Sequence, residues 1–435
     1  MFKKLSASAV ALVSLAAMST AAVNFDNPKD NNLAQEITGF TADIPGPVMA
    51  DKKAPAKVNV KDWTIMVFVN AKNNLEPYGL KDMNEMEMVG SSSRVNVVVE
   101  IGRMDGQDTS NSDWKGTRRY LIKKDTDTAT MTSPMLQDLG KIDMGDYKSV
   151  IDFGKWAKNA YPARKTMLII WNHGAGWVKS NKSVEFEKGI SYDDESGNHI
   201  NTPQMAAILK EIGGVDVYGS DACLMQMAEV IYEIKDSVKF IVGSEETEPG
   251  DGYTYNDLLA PLVANPGMSA EAFAKAAVDA YSNHYQARNE GSTQSYVRAS
   301  AIPGFLIAVN DFTSAITKAA EKNLAKKARG VAQAYSYADN RDLYHFTKLV
   351  ISETKDAAVK EKGTALLTYI EKKLVGHNRT TNGGGGGWYS PPTDYSNSHG
   401  IAIYLPVSAP ATGYNELQWS KYSNWDEFIN WYQLP

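Results

Sequence analysis

The sequence has 435 residues, of which 43 % are hydrophobic and 22 % are charged, a composition typical of folded proteins rather than disordered ones. Its 51 acidic and 45 basic side chains give a net charge of −6, which argues against a nucleic-acid binder that works through a basic surface. There is one cysteine, Cys223, and this excludes internal disulfides, thiolate zinc clusters and cysteine-ligated iron–sulfur centres.

Residues 1–22 have the pattern of a secretory signal peptide. Two lysines precede an apolar stretch that ends at Met18, and small residues follow as far as Ala22. The apolar stretch is shorter than the roughly 20 residues that a bilayer requires, so we predict no integral membrane span. We expect an exported protein, either secreted or periplasmic. Residues 23–58 are rich in Asn, Asp, Lys and Pro without sustained periodicity, which predicts a linker or pro-segment.

From Trp63 onward, β-rich apolar runs alternate with stretches of helical periodicity. Strands are predicted at 63–69, 95–101, 166–171, 215–219 and 239–243, and helices at 75–89, 147–160, 203–212 and 224–235. This alternation predicts an α/β domain over residues 59–255, with a mostly parallel sheet sandwiched by helices. Residues 256–435 are predicted to be mainly helical (270–287, 311–335, 354–375), with strands at 299–309 and 400–405 that complete or extend the core.

Two of the predicted strands lead into residues that can do chemistry. Strand 166–171 is followed by His173 and Gly174, and strand 215–219 is followed by Cys223, where we expect a helix to begin. Because parallel strands present their carboxyl ends at one edge of a sheet, Cys223 and His173 are expected to meet there. A helix N-terminus would favour the thiolate, and a histidine could protonate a leaving amine. The backbone N–H groups of Gly174 and Cys223 could hold an oxyanion.

Each of these features has an ordinary explanation when it stands alone. Most free cysteines are small buried hydrophobes, and a His-Gly sequence after a strand can be only a tight turn. Other catalytic patterns are absent from the sequence: there is no Gly-x-Ser-x-Gly elbow, no His-Glu-x-x-His and no phosphate-binding glycine loop. The acidic run 193–195 resembles part of a calcium loop but lacks its full spacing, so we expect a solvated hairpin turn and no cofactor.

The two strand ends, Asn172-His173-Gly174 and Asp221-Ala222-Cys223, resemble the histidine and nucleophile blocks of the caspase, legumain and gingipain group of cysteine peptidases. Within that group the chain looks most similar to the clostripain family. Three further stretches add to the resemblance, which runs from about Trp63 to the C-terminus: 243–250, 342–346 and 398–406. The resemblance implies a caspase-like fold and a cysteine endopeptidase that cleaves protein or peptide substrates after Arg or Lys.

The resemblance also implies roles for particular residues. His173 and Cys223 match the catalytic dyad of the family, and Asp221 matches the position whose carboxylate faces the basic P1 side chain. Asp251 would add a second pocket charge. Family members are often matured by self-cleavage between the two blocks, which implies cleavage here after Lys182 or Lys188. Some relatives depend on calcium, but this sequence contains no clear ligand set for it.

Two other functions remain open from the sequence. One is a catalytically silent binding or scaffold protein on a caspase-like fold, although the intact His173, Gly174 and Cys223 argue against it. The other is a thiol-dependent amidase or transpeptidase, which product analysis would distinguish from an endopeptidase.

Overall fold

The computed structural model describes residues 60–177, 189–384 and 393–433. The strands that form its main sheet are β1 (Lys61–Ala71), β2 (Val95–Arg103), β3 (Gly116–Leu121), β4 (Met135–Gly140), β5 (Ala163–Trp171), β8 (Val215–Asp221), β9 (Val238–Gly243), β10 (Ser292–Arg298) and β12 (Val375–Thr381). Two small antiparallel sheets pair β6 (Ile190–Asp193) with β7 (Asn198–Ile200), and β11 (Asn340–Asp342) with β13 (Ala402–Tyr404).

The described α-helices begin with α1 (Glu76–Glu87), α2 (Tyr147–Ala160), α3 (Thr202–Glu211), α4 (Ala228–Ile234), α5 (Tyr255–Ala264) and α6 (Ala270–Arg288). The remainder are α7 (Ile302–Lys318), α8 (Lys322–Val331), α9 (Leu343–Glu353), α10 (Ala357–Tyr369), α11 (Gln418–Tyr422) and α12 (Trp425–Gln433). Local signals set several boundaries. Asn201 and Gln204 form a reciprocal capping box at the start of α3, and Ser269 caps α6.

The main sheet has nine strands in the order β12-β10-β9-β8-β5-β1-β2-β3-β4. Its central five strands are parallel, and two antiparallel strands extend it at each edge. Alternate side chains of β1 point to opposite faces, so Met66 and Phe68 enter one hydrophobic core while Ile65 and Val67 enter the other. The architecture is the predicted one: a mostly parallel sheet between layers of helices, with a largely helical C-terminal region.

The second half of the chain contributes to the same sheet, through strands that the sequence did not indicate. β10 carries the buried polar residues Ser292, Thr293, Gln294 and Ser295, so no apolar run marks it as a strand. Its partner β12 is also polar, and β3 and β4 at the opposite edge were likewise not predicted. These polar strands are held by pairing with neighbours that are distant in sequence.

Three predicted elements were wrong in type or extent. Residues 299–309 form a 3₁₀ turn and the start of α7 instead of a strand; its buried residues Ile302, Phe305, Val309 and Phe312 follow helical spacing. The predicted helix 311–335 is divided between α7 and α8 at Ala320, whose φ is +58°. The helix predicted to begin at Leu224 begins only at Ala228.

One described helical segment, Ala299–Lys318, is long and apolar enough to cross a membrane by length and composition alone, and 44 % of it is buried. Its apolar face packs into the core on one side of the sheet, an arrangement typical of core helices in folded domains.

Candidate functional site

The pairing of β5 with β8 brings the two predicted site segments together. The parallel register places Trp171 beside Asp221, and the Asn172 N–H donates to the Asp221 carbonyl oxygen at 3.1 Å. His173 and Cys223 lie two residues beyond this pair at the carboxyl edge of the sheet. Both line a cavity of about 240 Å³, and both also line a smaller one of about 170 Å³. The predicted meeting of Cys223 and His173 at one edge of the sheet is therefore confirmed.

Glycine is required at position 174 because the loops after β5 and β8 approach each other closely. A Cβ atom at this position would lie 2.4 Å from the Cys223 carbonyl oxygen and 2.9 Å from the Ala222 Cβ, so a larger residue would force the loops apart. In the described parts of the chain, neither the Gly174 nor the Cys223 backbone N–H donates a hydrogen bond to another residue. Both donors therefore stay available beside the thiol.

The side chain of His173 is oriented by a residue that the sequence analysis missed. Its Nε2 atom lies 2.8 Å from Oδ1 of Asn74, in the loop between β1 and α1. Since an amide oxygen only accepts, Nε2 carries the proton, and the neutral ring has its lone pair at Nδ1. Burial lowers the pKa of His173, which favours this neutral form. Asn74 is 99 residues away in sequence, and its position follows from the pairing of β1 with β5.

The predicted helix N-terminus at Cys223 is absent. Leu224 adopts a left-handed conformation with φ of +64°, and the residues after Cys223 pair with the loop after β9: the Leu224 N–H donates to the Glu246 carbonyl oxygen at 3.0 Å. The Glu248 N–H donates to the Cys223 Sγ at 3.3 Å. Burial, and then the charge of Glu248, raise the pKa of Cys223 to about 12. The Cys223 side chain is therefore held as a neutral thiol, contrary to the expected thiolate.

A sequence profile of the Clostripain family matches residues 67–432. The chain belongs to the clostripain family of cysteine peptidases. It is 27 % identical over 264 residues to clostripain from Hathewaya histolytica, an alignment that covers 56 % of this chain and 48 % of the relative. The chain thus aligns with about half the length of that curated relative.

Two of the solved structures with a similar fold are C11 cysteine proteases. A secreted C11 cysteine protease from Bacteroides thetaiotaomicron, in complex with an irreversible peptide inhibitor, superposes with a TM-score of 0.65 at 18 % identity, covering 84 % of this chain and 100 % of that one. An inactive zymogen C11 protease from Parabacteroides distasonis superposes with a TM-score of 0.61 at 18 % identity, covering 83 % and 97 % of the two chains. At this level of identity the similarity establishes the fold, which is caspase-like.

In this clostripain-family chain, the larger cavity next to Cys223 is acidic. Asp221 lies at its inner wall and is 3 % exposed. Its Oδ1 accepts from the Tyr253 N–H at 3.0 Å, and its Oδ2 accepts from the Tyr255 hydroxyl at 2.7 Å. Burial raises the pKa of Asp221 to about 6. A Cβ at Gly252, where φ is +56°, would lie 2.7 Å from Asp221 Oδ1, so glycine lets this loop close over the carboxyl.

Two further carboxyls line the same cavity, and the sequence analysis missed both. Asp82 from α1 is 1 % exposed, and its Oδ2 accepts from the Trp171 indole N–H at 2.7 Å. Glu248 is half-buried next to Asp221. Burial and the charge of Asp221 raise the pKa of both residues well above the usual range. No local motif marks Asp82, because α1 reaches the cavity only through tertiary packing.

Asp251 lines the mouth of the cavity, but its charge is already paired. Its Oδ1 accepts from Lys81 Nζ at 2.8 Å, and its Oδ2 lies 3.2 Å from His284 Nε2 and 3.5 Å from Arg288 Nη1. The pKa of Asp251 is lowered: burial opposes this shift, and the hydrogen bond from Lys81 with the nearby positive charges outweighs burial. The Asp251 carboxylate is therefore stabilised in its ionised form, whereas burial disfavours the ionised form of the carboxyls deeper in the cavity.

The remaining predicted positions fall elsewhere. Lys182 and Lys188 lie outside the described residues. The acidic run that begins at Asp193 forms the predicted hairpin turn between β6 and β7, but Asp193 is buried and ion-paired with Lys72 instead of solvated. In the described parts of the chain, no group of three or more His, Cys, Asp or Glu side chains is arranged to hold a metal ion.

Proposed function

We propose that this protein is an exported endopeptidase that cleaves peptide bonds after Arg or Lys, with Cys223 as nucleophile and His173 as proton carrier. The acidic cavity beside the thiol is the observation that carries this proposal. Among the described residues, no lysine or arginine is ion-paired with Asp82, Asp221 or Glu248. A guanidinium or ammonium group can supply the missing positive charge through charge-assisted hydrogen bonds.

The proposed reaction starts from a neutral pair, because the pKa of the thiol is raised and that of the imidazole is lowered. As the Cys223 Sγ bonds to the scissile carbonyl carbon, its proton passes to His173 Nδ1. The N–H groups of Gly174 and Cys223 donate to the oxyanion. His173 then protonates the amine nitrogen as the C–N bond breaks, and later assists a water molecule in hydrolysing the thioester.

Asn74 supports this sequence of proton transfers in the proposal. With Nε2–H held by Asn74, the Nδ1 atom is the acceptor in the first step and the donor in the second. No third carboxylate is required in this role, because a neutral amide oxygen is sufficient to fix the ring tautomer and its orientation.

The specificity is tested with peptide–aminomethylcoumarin substrates that differ only at P1. We expect turnover with P1 Arg or Lys, none with P1 Asp, and a loss of at least about a thousandfold in Cys223→Ala. Equal turnover of P1 Asp and P1 Arg would refute the basic specificity. Labelling of Cys223 by an Arg-chloromethylketone, blocked by prior alkylation of the thiol, would exclude a silent scaffold. Product analysis with an added amine acceptor would detect a transpeptidase.

We also propose maturation by self-cleavage after Lys182 or Lys188, in the polar segment between the histidine and nucleophile blocks. The existence of a zymogen among the structural relatives supports a maturation step in this fold. Purified wild type should yield two fragments, whereas Cys223→Ala should stay intact. Each of Lys182→Ala and Lys188→Ala then identifies the cleaved bond, and an intact wild type that is fully active would refute the proposal.

Export rests on the signal-peptide pattern of residues 1–22 and on the secreted relative. The mature protein recovered from outside the cytoplasm should begin at Val23, which intact-mass measurement would determine. An N-terminus that retains residues 1–22 would contradict this part of the proposal.

A further inference from the structure

The acidic side chains around the cavity divide into two groups with different electrostatic roles. Asp251, at the mouth, already has three basic neighbours, Lys81, His284 and Arg288. Asp221 and Asp82, deeper in the cavity, are almost completely buried and have no such partners among the described residues. A cationic side chain entering the cavity therefore gains more from the inner carboxyls than from Asp251.

The inner carboxyls have a polar atom that no part of the described chain satisfies. Asp82 Oδ1 is buried without a hydrogen-bond partner, although its second oxygen is held by Trp171. A buried, unpaired carboxyl oxygen is costly, and a donor brought by a ligand would remove that cost. Together with the lack of a metal-ligating arrangement in the described residues, this favours an organic cation as the occupant.

Glu248 connects this cavity to the nucleophile. Its backbone N–H donates to the Cys223 Sγ, and the residue lines the same cavity as Asp221. Gln294 from β10 also approaches, with Nε2 at 3.5 Å from Glu248 Oε1. Burial without a cation disfavours two carboxylate charges side by side, so one proton shared between Glu248 and Asp221 is favoured.

We propose that Glu248, and not Asp251, is the second specificity-determining carboxylate of the P1 cavity, and that the Glu248–Asp221 pair releases its shared proton to solvent when an Arg or Lys side chain enters. This inference rests on the proposed function. Two ionised carboxylates then face one cation, with Asp82 behind them, while Asp251 fixes the loop at the mouth through Lys81. Selection for charge follows, because a neutral P1 side chain of equal length cannot displace the proton.

The ionisable groups that face the pair come from each element packed against it. They are Asp82 and Glu85 of α1, His173 after β5, Cys223 after β8, Tyr253 before α5, Tyr255 of α5, and Tyr281 and Tyr285 of α6. The phenols and the thiol stay neutral below pH 9, since burial raises the pKa of each of them. Proton release near pH 6, the pKa of Asp221, is assigned to the carboxyls if Glu248→Gln abolishes it, because His173 is unchanged in that variant.

The first test compares Glu248→Gln with Asp251→Asn, two variants that each remove one carboxylate from the same loop. We expect Glu248→Gln to lower the ratio of kcat/KM for P1 Arg to kcat/KM for the uncharged isostere P1 citrulline about 30- to 100-fold, mainly through KM for P1 Arg. Asp251→Asn should cost less than about fivefold. An unchanged preference for P1 Arg over P1 citrulline in Glu248→Gln would overturn the proposal.

The second test measures the number of protons that are released when a cation binds. Benzamidine binding is followed by calorimetry at pH 6.5 in buffers of different ionisation enthalpy; wild type should release about one proton and Glu248→Gln close to none. Release of no proton by wild type, or equal release by both proteins, overturns the proposal. The wild-type measurement needs no variant, so it holds even if Glu248→Gln fails to fold.

Failure of the proposed function would give results different from failure of this inference. A wild type that does not prefer P1 Arg or Lys to P1 citrulline, and that does not bind benzamidine, refutes the basic specificity itself. Near-ultraviolet circular dichroism provides the integrity check, because Glu248→Gln keeps the side-chain volume and the backbone N–H next to the sulfur. A spectrum equal to that of wild type assigns any loss with P1 Arg to the cavity.

Discussion

The protein contains two clusters of buried or half-buried carboxyls at opposite ends of the loop 244–248, and their surroundings differ. At one end, Glu245 forms a carboxyl pair with Asp342 at the start of α9. Every oxygen of this pair has a donor from the chain itself: Glu245 accepts from the Tyr335 hydroxyl and the Gly400 N–H, and Asp342 accepts from the N–H groups of His345 and His399.

At the other end of the same loop, the Glu248–Asp221 pair faces an open cavity of about 240 Å³. Its neighbour Asp82 keeps one oxygen without a partner. Burial raises the pKa of carboxyls in both clusters, so the pKa alone does not tell a structural pair from a binding site. Access and unsatisfied hydrogen-bonding capacity make the distinction.

The two clusters should differ most in kcat/KM and in stability when one carboxylate of each cluster is removed. Asp221→Asn should lower kcat/KM for P1 Arg about 10²- to 10³-fold, because a buried charge pair with the substrate is lost. Its melting temperature should stay the same or rise, since a buried charge is removed without loss of volume. Michaelis kinetics and thermal unfolding check the two effects, and an unchanged ratio of P1 Arg to P1 citrulline turnover would contradict the assignment.

Asp342→Ala should instead lower the stability of the protein and leave its preference at P1 unchanged. It leaves two backbone N–H groups without acceptors and removes the cap of α9, so we expect a stability loss of about 2–4 kcal/mol in urea unfolding. Asp356→Ala, at the partly exposed cap of α10, is the matched control and should cost about 1 kcal/mol. The preference for P1 Arg should persist; its loss would show that the two clusters act as one.

The two clusters also respond oppositely to pH. Asp221 must be ionised to bind a cation, so kcat/KM for P1 Arg should rise with pH through an apparent pKa near 6, a value that belongs to the coupled carboxyls. The same profile with P1 citrulline should lack this step. A step of equal size for both substrates would assign the titration to the catalytic machinery instead of the cavity.

For the Glu245–Asp342 pair, the sign follows from the raised pKa values. The folded state favours the protonated pair, so its contribution to stability is complete at acid pH, below the ordinary carboxyl range, and is lost as pH rises through about 7, the pKa of Asp342. Glu245→Gln keeps a donor towards Asp342 without a titrating proton. We therefore expect a melting temperature a few degrees above wild type at pH 9 and nearly equal to it at pH 5. Parallel curves for the two proteins would refute the shared proton.

The sequence by itself determined the central architecture and the edge where the site lies. Apolar runs of strand length alternate with helical periodicities, and burial of a parallel sheet on both faces requires this pattern. Because parallel strands end at a common edge, the positions of His173 and Cys223 after two such strands were enough to predict their meeting. Gly174 could be named for the same reason, whereas Asp221 was named from the resemblance to the clostripain family.

Tertiary structure decided the burial, charge and hydrogen-bond partners of the residues at that edge. The expected helix start is replaced by the left-handed Leu224 and by the pairing of residues 224–226 with the loop after β9. The pKa of the Cys223 thiol is therefore raised instead of lowered. Asp82 and Asn74 reach the site from segments whose sequences carry no motif, and Glu248 lies in a stretch that the sequence linked to the family but not to the site. Burial and charge depend on neighbours distant in the chain, and local patterns do not encode those contacts.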